Sequence, residues 1–159
     1  MQIFSSKYLD ELSCHAKESK RLRKHSNIHR HYHEPCQRLF NAIEPNSYIR
    51  PHRHSSPSRD ELFIAVRGLF LLVTFDDFGN VVCGTKFGTE HFGSSIAVGA
   101  ELDAMTWHTV ICLEEGSILM EVKAGPFDPF RPKEIAAWSP DENTDAALTY
   151  IMAIRDQFV

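Results

Sequence analysis

The sequence predicts an all-β fold, a single barrel or sandwich preceded by one helix and followed by a C-terminal extension. Three observations carry this. Short apolar runs recur at Leu39–Ile43, Ser47–His52, Leu62–Val66, Leu69–Phe75, Ser95–Val98, Trp107–Leu113 and Ile118–Val122. Turn signals separate them at Pro45-Asn46, Gly68, Asp76-Asp77-Phe78-Gly79-Asn80, Gly99 and Glu114-Glu115-Gly116. No stretch of helical period interrupts the series, which excludes Rossmann and TIM folds.

The elements fall into residues 1–25, 26–124 and 125–159. In the first, Ser5 or Ser6 can cap a helix from about Lys7 to Arg23. There Tyr8, Leu12 and Ala16 repeat at four and Leu9 widens the apolar face. Its basic end, Lys20-Arg21-Leu22-Arg23-Lys24-His25, suits a helix C-terminus. The middle zone holds the strands, with a core expected from Leu39, Ile64, Leu71, Val73, Ile111 and Ile118. The last zone starts with an irregular crossing, Gly125-Pro126-Phe127-Asp128-Pro129-Phe130-Arg131-Pro132. It ends in a helix over Asp145–Phe158, with Leu148, Ile151, Met152 and Arg155 at three- and four-residue steps.

Composition narrows the function classes. At 159 residues, 43% hydrophobic and 24% charged, the chain can build a core without staples. A net charge of -4 gives no pull toward nucleic acid or anionic membranes. Leu69-Phe70-Leu71-Leu72-Val73 is the longest apolar run, a strand in length, and the first residues lack an export pattern. Cys14, Cys36, Cys83 and Cys112 are scattered and read as free thiols in a reducing cytoplasm. The partner expected is a small-molecule ligand, with no nucleic acid and no membrane; a homodimer stays open.

Nine histidines are present, and six of them lie between His25 and His54. In Pro51-His52-Arg53-His54, strand geometry puts His52 and His54 on one face. Glu61 opens the next strand after the loop Ser55-Ser56-Pro57-Ser58-Arg59. His108, in Thr106-Trp107-His108-Thr109, shares its strand face with Val110 and Cys112 and is the candidate fourth ligand. This nitrogen and oxygen set suits one divalent ion of iron, manganese, nickel or zinc. His29, His31 and His33 in His29-Arg30-His31-Tyr32-His33 share a face if extended. They stand either as an exposed or substrate-proximal stretch or as a second metal site. Arg38, Arg50, Arg53 and Lys123 are candidate anion contacts. Glu121 and Tyr48 have no motif that fixes a role.

The arrangement Asn46-(five residues)-His52-x-His54-(six residues)-Glu61-(six residues)-Gly68 resembles the first cupin motif, and the region ending in Trp107-His108 resembles the second. More closely, the chain is similar to the WbuC family of cupin-fold metalloproteins. That likeness rests on Asn27-Ile28-His29, Gln37-Arg38, Leu39–Ile43, Tyr48–His54, Glu61-Leu62-Phe63 and Gly68. It continues in Thr106–Thr109, Glu121-Val122-Lys123-x-Gly125-Pro126-Phe127-Asp128-Pro129 and Trp138, and spans roughly residues 20 to 140. The resemblance implies a cupin-type jelly-roll with a metal at His52, His54, Glu61 and His108. It also implies a link to O-antigen biosynthesis, while His29, Arg38, Tyr48, Arg50 and Lys123 are the candidate substrate contacts. Three departures stand out. Asn46 replaces a glycine, Asp103-Ala104-Met105 replaces a Pro-Pro-Gly turn, and Cys112 stands where the general second motif has Asn. Cys112 is then either a soft ligand or a small buried hydrophobe. The function expected is a metal-dependent enzyme acting on a small polar, sugar-like or anionic molecule. The alternatives are a metal-assisted binding or sensing module, or a barrel merely braced by its metal.

Overall fold

The computed structural model describes residues 1–55, 57–130 and 133–159. Ser56 of the loop before Glu61, and Arg131 and Pro132 of the C-terminal crossing, lie outside the described residues.

Helix α1 covers Ser6–Glu18, with the Ser5 hydroxyl accepting from the Tyr8 N–H at 3.3 Å. It stops short of Arg23. Leu22 turns the chain with φ of 52°, and β1 (Arg23–Asn27) pairs antiparallel with β2 (Cys36–Ile43). The basic run read as a helix end is therefore partly an edge strand, because an extended chain there gains a ladder partner. The remaining strands are β3 (His52–Arg53), β4 (Glu61–Arg67), β5 (Leu69–Phe75), β6 (Val81–Gly88), β7 (Gly99–Leu102), β8 (Trp107–Cys112), β9 (Ser117–Ala124) and β10 (Glu134–Ile135). Helix α2 follows at Asp145–Arg155.

Two five-stranded sheets form, in the orders β1-β2-β9-β4-β7 and β10-β3-β8-β5-β6. Every pairing between these strands is antiparallel. The two inner faces enclose an apolar floor of Ile43, Ile49, Phe63, Phe70, Leu72, Phe87, Leu102, Val110 and Leu119. The outer face of the first sheet carries α1, which packs Leu12 and Ala16 on Phe40, Ala42 and Ile118. The outer face of the second carries α2, which packs Ala147, Ile151 and Ile154 on Leu71, Val73, Phe75, Trp107 and Ile111. The jelly-roll is thus closed by period-two alternation on strands and capped on both outsides by helices.

Four local expectations shift. Of the run Ser47–His52 only His52 joins a ladder, in β3 with Arg53, because Pro51 offers no N–H and the Tyr48 and Ile49 carbonyls are taken by Arg23 (2.8 Å) and Thr109 (2.5 Å). The run Ser95–Val98 contributes an isolated bridge through Ala97 and a Val98 carbonyl that accepts from the Ala65 N–H at 2.8 Å, and Gly99–Leu102 forms the strand beside β4. Strand β6 was not anticipated, since Cys83-Gly84-Thr85-Lys86 interrupts its apolar character. On α2, Leu148 and Met152 face outward and Ala147 and Ile154 are buried instead. The expected core residues Leu39, Leu71, Val73, Ile111 and Ile118 are buried, whereas Ile64 is partly exposed.

Candidate metal centre

The register builds the site. His52 lies directly opposite His108 across the β3–β8 ladder, so their rings stand 4.5 Å apart on the inner face. His54 follows two residues on, and Glu61 opens β4 in the facing sheet. One ligand atom from each of His52, His54, Glu61 and His108 falls within 4.8 Å of the others, and all four residues are buried.

Each donor is held by its surroundings. The Nδ1 of His52 donates to the Arg50 carbonyl at 3.0 Å, and that of His108 to the Thr106 carbonyl at 2.9 Å. A carbonyl can only accept, so in both neutral rings the lone pair sits on Nε2 and faces inward. Glu61 is divided in the same way. Its Oε1 accepts from the Lys123 ammonium at 3.0 Å, while Oε2 lies 3.1 Å from His108 Nε2 and 3.2 Å from His54 Nε2. Those approaches satisfy nothing, because His54 Nε2, His108 Nε2 and Glu61 Oε2 are buried without a hydrogen-bond partner. Acceptor lone pairs crowded together in a dry interior are costly unless a cation lies among them. The donor set therefore fits a divalent metal ion, with Nδ1 bonds orienting the His52 and His108 imidazoles from behind.

Charge supports the same arrangement. Burial, with Lys133 adding to it, holds the His52 imidazole well below its ordinary 6.5, in the neutral form that can ligate. Burial alone would raise the Glu61 carboxyl, but the Lys123 ammonium together with the His108 and His54 rings outweighs it and holds the group well below the usual carboxylate range. Burial likewise opposes the charge on Lys123, and Glu121 and Glu61 more than compensate, raising it. Glu121 is pushed up to about 7 by burial, with Glu61 adding and Lys123 opposing.

The four residues sit on the wall of a cavity of about 270 Å³ between the sheets. Of the other sequence candidates, His29 and Lys123 line it. The structure places the rest outside the lining. Arg38 pairs with Glu34 at 2.8 Å on the surface. Arg50 is bound to Asp141, Ser139 and Ala136, and the Tyr48 hydroxyl donates to the Pro140 carbonyl at 3.0 Å. Arg53 is held by Glu134 and Asp77 and stacks over Trp107. These groups tie the C-terminal extension to the barrel. His31 and His33 are exposed and stacked on one another, whereas His29 turns inward. The segment is a series of turns braced by Glu34, not a strand, so the three rings do not share a face. Cys112 is buried outside the cavity lining, and burial pushes its thiol up to about 12.

Sequence reasoning missed His25, Asn27, Gln37, Asn41 and Lys133, and left Glu121 without a role; all line the cavity. Alternation was the available signal. Arg23, His25 and Asn27 occupy every second place of β1, Gln37, Leu39 and Asn41 of β2, and Leu119, Glu121 and Lys123 of β9.

Comparisons with known proteins agree with this fold. The profile of a family described as a domain of unknown function (DUF6016) matches residues 4–87, a span that includes His52, His54 and Glu61. No curated protein matches the chain. Among solved structures, a protein from Shewanella oneidensis superposes with a TM-score of 0.53 at 8% identity, over 70% of this chain and 72% of its own. A mutant of oxalate decarboxylase OxdC from Bacillus subtilis gives 0.50 at 16% identity, over 79% of this chain and 29% of its own. A cupin-2 domain containing protein from Shewanella frigidimarina gives 0.46 at 15% identity, over 64% and 80%. At such identities the first two likenesses speak for the fold alone. That fold is the cupin-type jelly-roll the motifs led us to expect.

Proposed function

The chain belongs to the family described as a domain of unknown function (DUF6016), and for it we propose a metal-dependent enzyme acting on a small polar, sugar-like or anionic molecule. One observation carries the reading: three imidazoles and one carboxylate meet, buried, on the wall of a cavity large enough for a small ligand. Four protein donors leave coordination positions for substrate or water, and a divalent ion there would supply Lewis-acid or redox chemistry. The chain's own residues do the rest. The Arg50 and Thr106 carbonyls fix the imidazole tautomers, and Lys123 turns Glu61 so that a single oxygen faces the site. Glu121, able to hold or release a proton near neutral pH, is the acid or base available beside it. The likeness of the motifs to the WbuC family supports a place in surface polysaccharide (O-antigen) biosynthesis.

Metal analysis of protein purified without an affinity tag tests the first half, followed by a turnover screen of sugar phosphates and nucleotide sugars. Stoichiometric metal with turnover supports the enzyme. Metal with ligand binding and no turnover gives the binding or sensing module instead. Absence of metal after loading overturns both.

A further inference from the structure

We infer that the outer end of the cavity is a subsite for the anionic group of a hydroxylated small molecule, a sugar phosphate or sugar acid, with Lys133 as its cation and His25 beside it. This rests on the reading above that the cavity takes a small polar ligand, and it names the class.

The cations of the lining differ in what they already hold. Arg21 and Arg23 are both engaged with Glu142, at 3.1 Å and 2.8 Å. Lys123 is held between Glu61 and Glu121. Among the described residues Lys133 alone of the lining lysines and arginines has no carboxylate partner. It immediately precedes β10, the edge strand paired with β3, so it stands beside the histidine strand. His25 comes from β1, the edge strand of the other sheet, and its ring makes no hydrogen bond among the described residues. Solvent reaches it through the mouth, yet protein walls it in. Burial, with Arg23 and Lys123 adding to it, brings its imidazole down to about 4, and burial with Arg23 brings Lys133 down to about 8. Both directions report a confined, electropositive place, and an arriving anion would relieve it.

The inner part of the cavity offers the complementary groups. Gln37 donates its amide to the Tyr32 and Glu34 carbonyls, at 3.1 Å and 2.9 Å, which fixes its Oε1 as an acceptor. That oxygen is buried without a partner, as is Asn41 Oδ1. His29 Nε2 is also unpaired, and since its Nδ1 accepts from the Arg38 N–H at 3.0 Å it is a donor; all three residues line the cavity. Unpaired buried polar atoms are costly, and ligand hydroxyls, which both donate and accept, would satisfy them. Cation outside, acceptors inside and a metal centre on the wall describe a ligand with an anionic end and several hydroxyls. A volume of about 270 Å³ limits it to a small one.

Calorimetry on the metal-loaded full chain tests this with glucose, glucuronate, glucose 6-phosphate and inorganic phosphate, with metal content measured on the same samples. Glucose 6-phosphate or glucuronate should bind at least about tenfold tighter than glucose. Lys133→Gln should weaken the charged probes about tenfold and Lys133→Arg should restore most of it, with metal content unchanged in both. Asn41→Leu should weaken glucose 6-phosphate and leave inorganic phosphate unaffected, which separates a sugar phosphate from the free ion. Glucose binding as tightly as its phosphate overturns the inference. So does full affinity in Lys133→Gln, or the failure of every charged probe to bind. If the wild-type chain holds no metal while Lys133-dependent binding persists, the metal reading falls and this one stands.

Discussion

Replacing Lys123 with Met removes the cation that bridges two buried carboxylates. The Lys123 ammonium lies 3.0 Å from Glu61 Oε1 and also bonds Glu121; the three side chains are 11%, 3% and 11% exposed. Taking one partner from such a group leaves uncompensated buried charge, a loss of about 3–5 kcal/mol. Glu121 limits the damage, because its carboxyl already sits at about 7 and takes up a proton once the ammonium is gone. The expected cost in chelator-treated protein is therefore near the lower end, about 3 kcal/mol. For a chain of this length that corresponds to a drop of about 6–12 °C in Tm. A metal ion at Glu61 would carry part of the compensation, so the loaded variant should lose less than the chelated one. Adding Glu121→Gln to Lys123→Met removes one of the stranded charges and should recover part of the loss. Thermal and urea unfolding of the three proteins, with and without chelator, gives the comparison. A Tm for Lys123→Met within about 2 °C of the parent in chelator would refute the bridging role assigned to Lys123.

Three other changes have definite expected outcomes. His52→Ala should abolish stoichiometric metal, whereas His31→Ala with His33→Ala should leave it in place; elemental analysis decides, and the reverse pattern would move the site to the N-terminal cluster. The Glu121 carboxyl stands at about 7 in the folded chain against an ordinary 4.5, so its contribution to stability is fully present below 4.5 and lost as pH rises through 7. In chelator, Glu121→Gln should thus gain on the parent by up to about 3 kcal/mol between acid and mildly alkaline pH, and a pH-independent difference in urea midpoints would contradict it. Met105 holds φ of 71° where the cupin turn would have glycine, so Met105→Gly should stabilise by about 1 kcal/mol, read as a raised Tm with metal content unchanged.

The departures from the cupin motifs show how local backbone geometry survives a change of residue. Asn46 takes φ of 68° and Met105 φ of 71°, so both turns are retained without glycine. At Gly68, with φ of 81°, no such substitution is open, because a Cβ would collide with the Ser117 side chain whose hydroxyl accepts from the Leu69 N–H. The turn before His108 therefore keeps its path, and His108 arrives opposite His52.

What the chain order alone determined is the part governed by short-range periodicity. Two histidines at i and i+2 on an extended segment share a face whatever the rest of the molecule does, and a serine ahead of an apolar four-residue repeat caps a helix. The shared face of His52 and His54, the start of α1 and the strands β2, β4, β5, β8 and β9 were legible on those terms, whereas β1, β6 and β7 were not. What the tertiary structure decided is which face looks inward and which edges meet. Arg23-x-His25-x-Asn27 has the same alternation as a solvated edge strand, and only its pairing with β2 turns it into the cavity. Arg38, Arg50 and Arg53 carry the same charge as Lys123, but each met a carboxylate outside the cavity, while Lys123 faces inward between Glu61 and Glu121. Lys133, in the C-terminal extension and given no role from the sequence, reaches the site because β10 closes the edge of the second sheet against β3. These placements depend on contacts between residues as much as about 120 positions apart, Arg23 with Glu142 among them, and periodicity along the chain carries no information about partners at that distance.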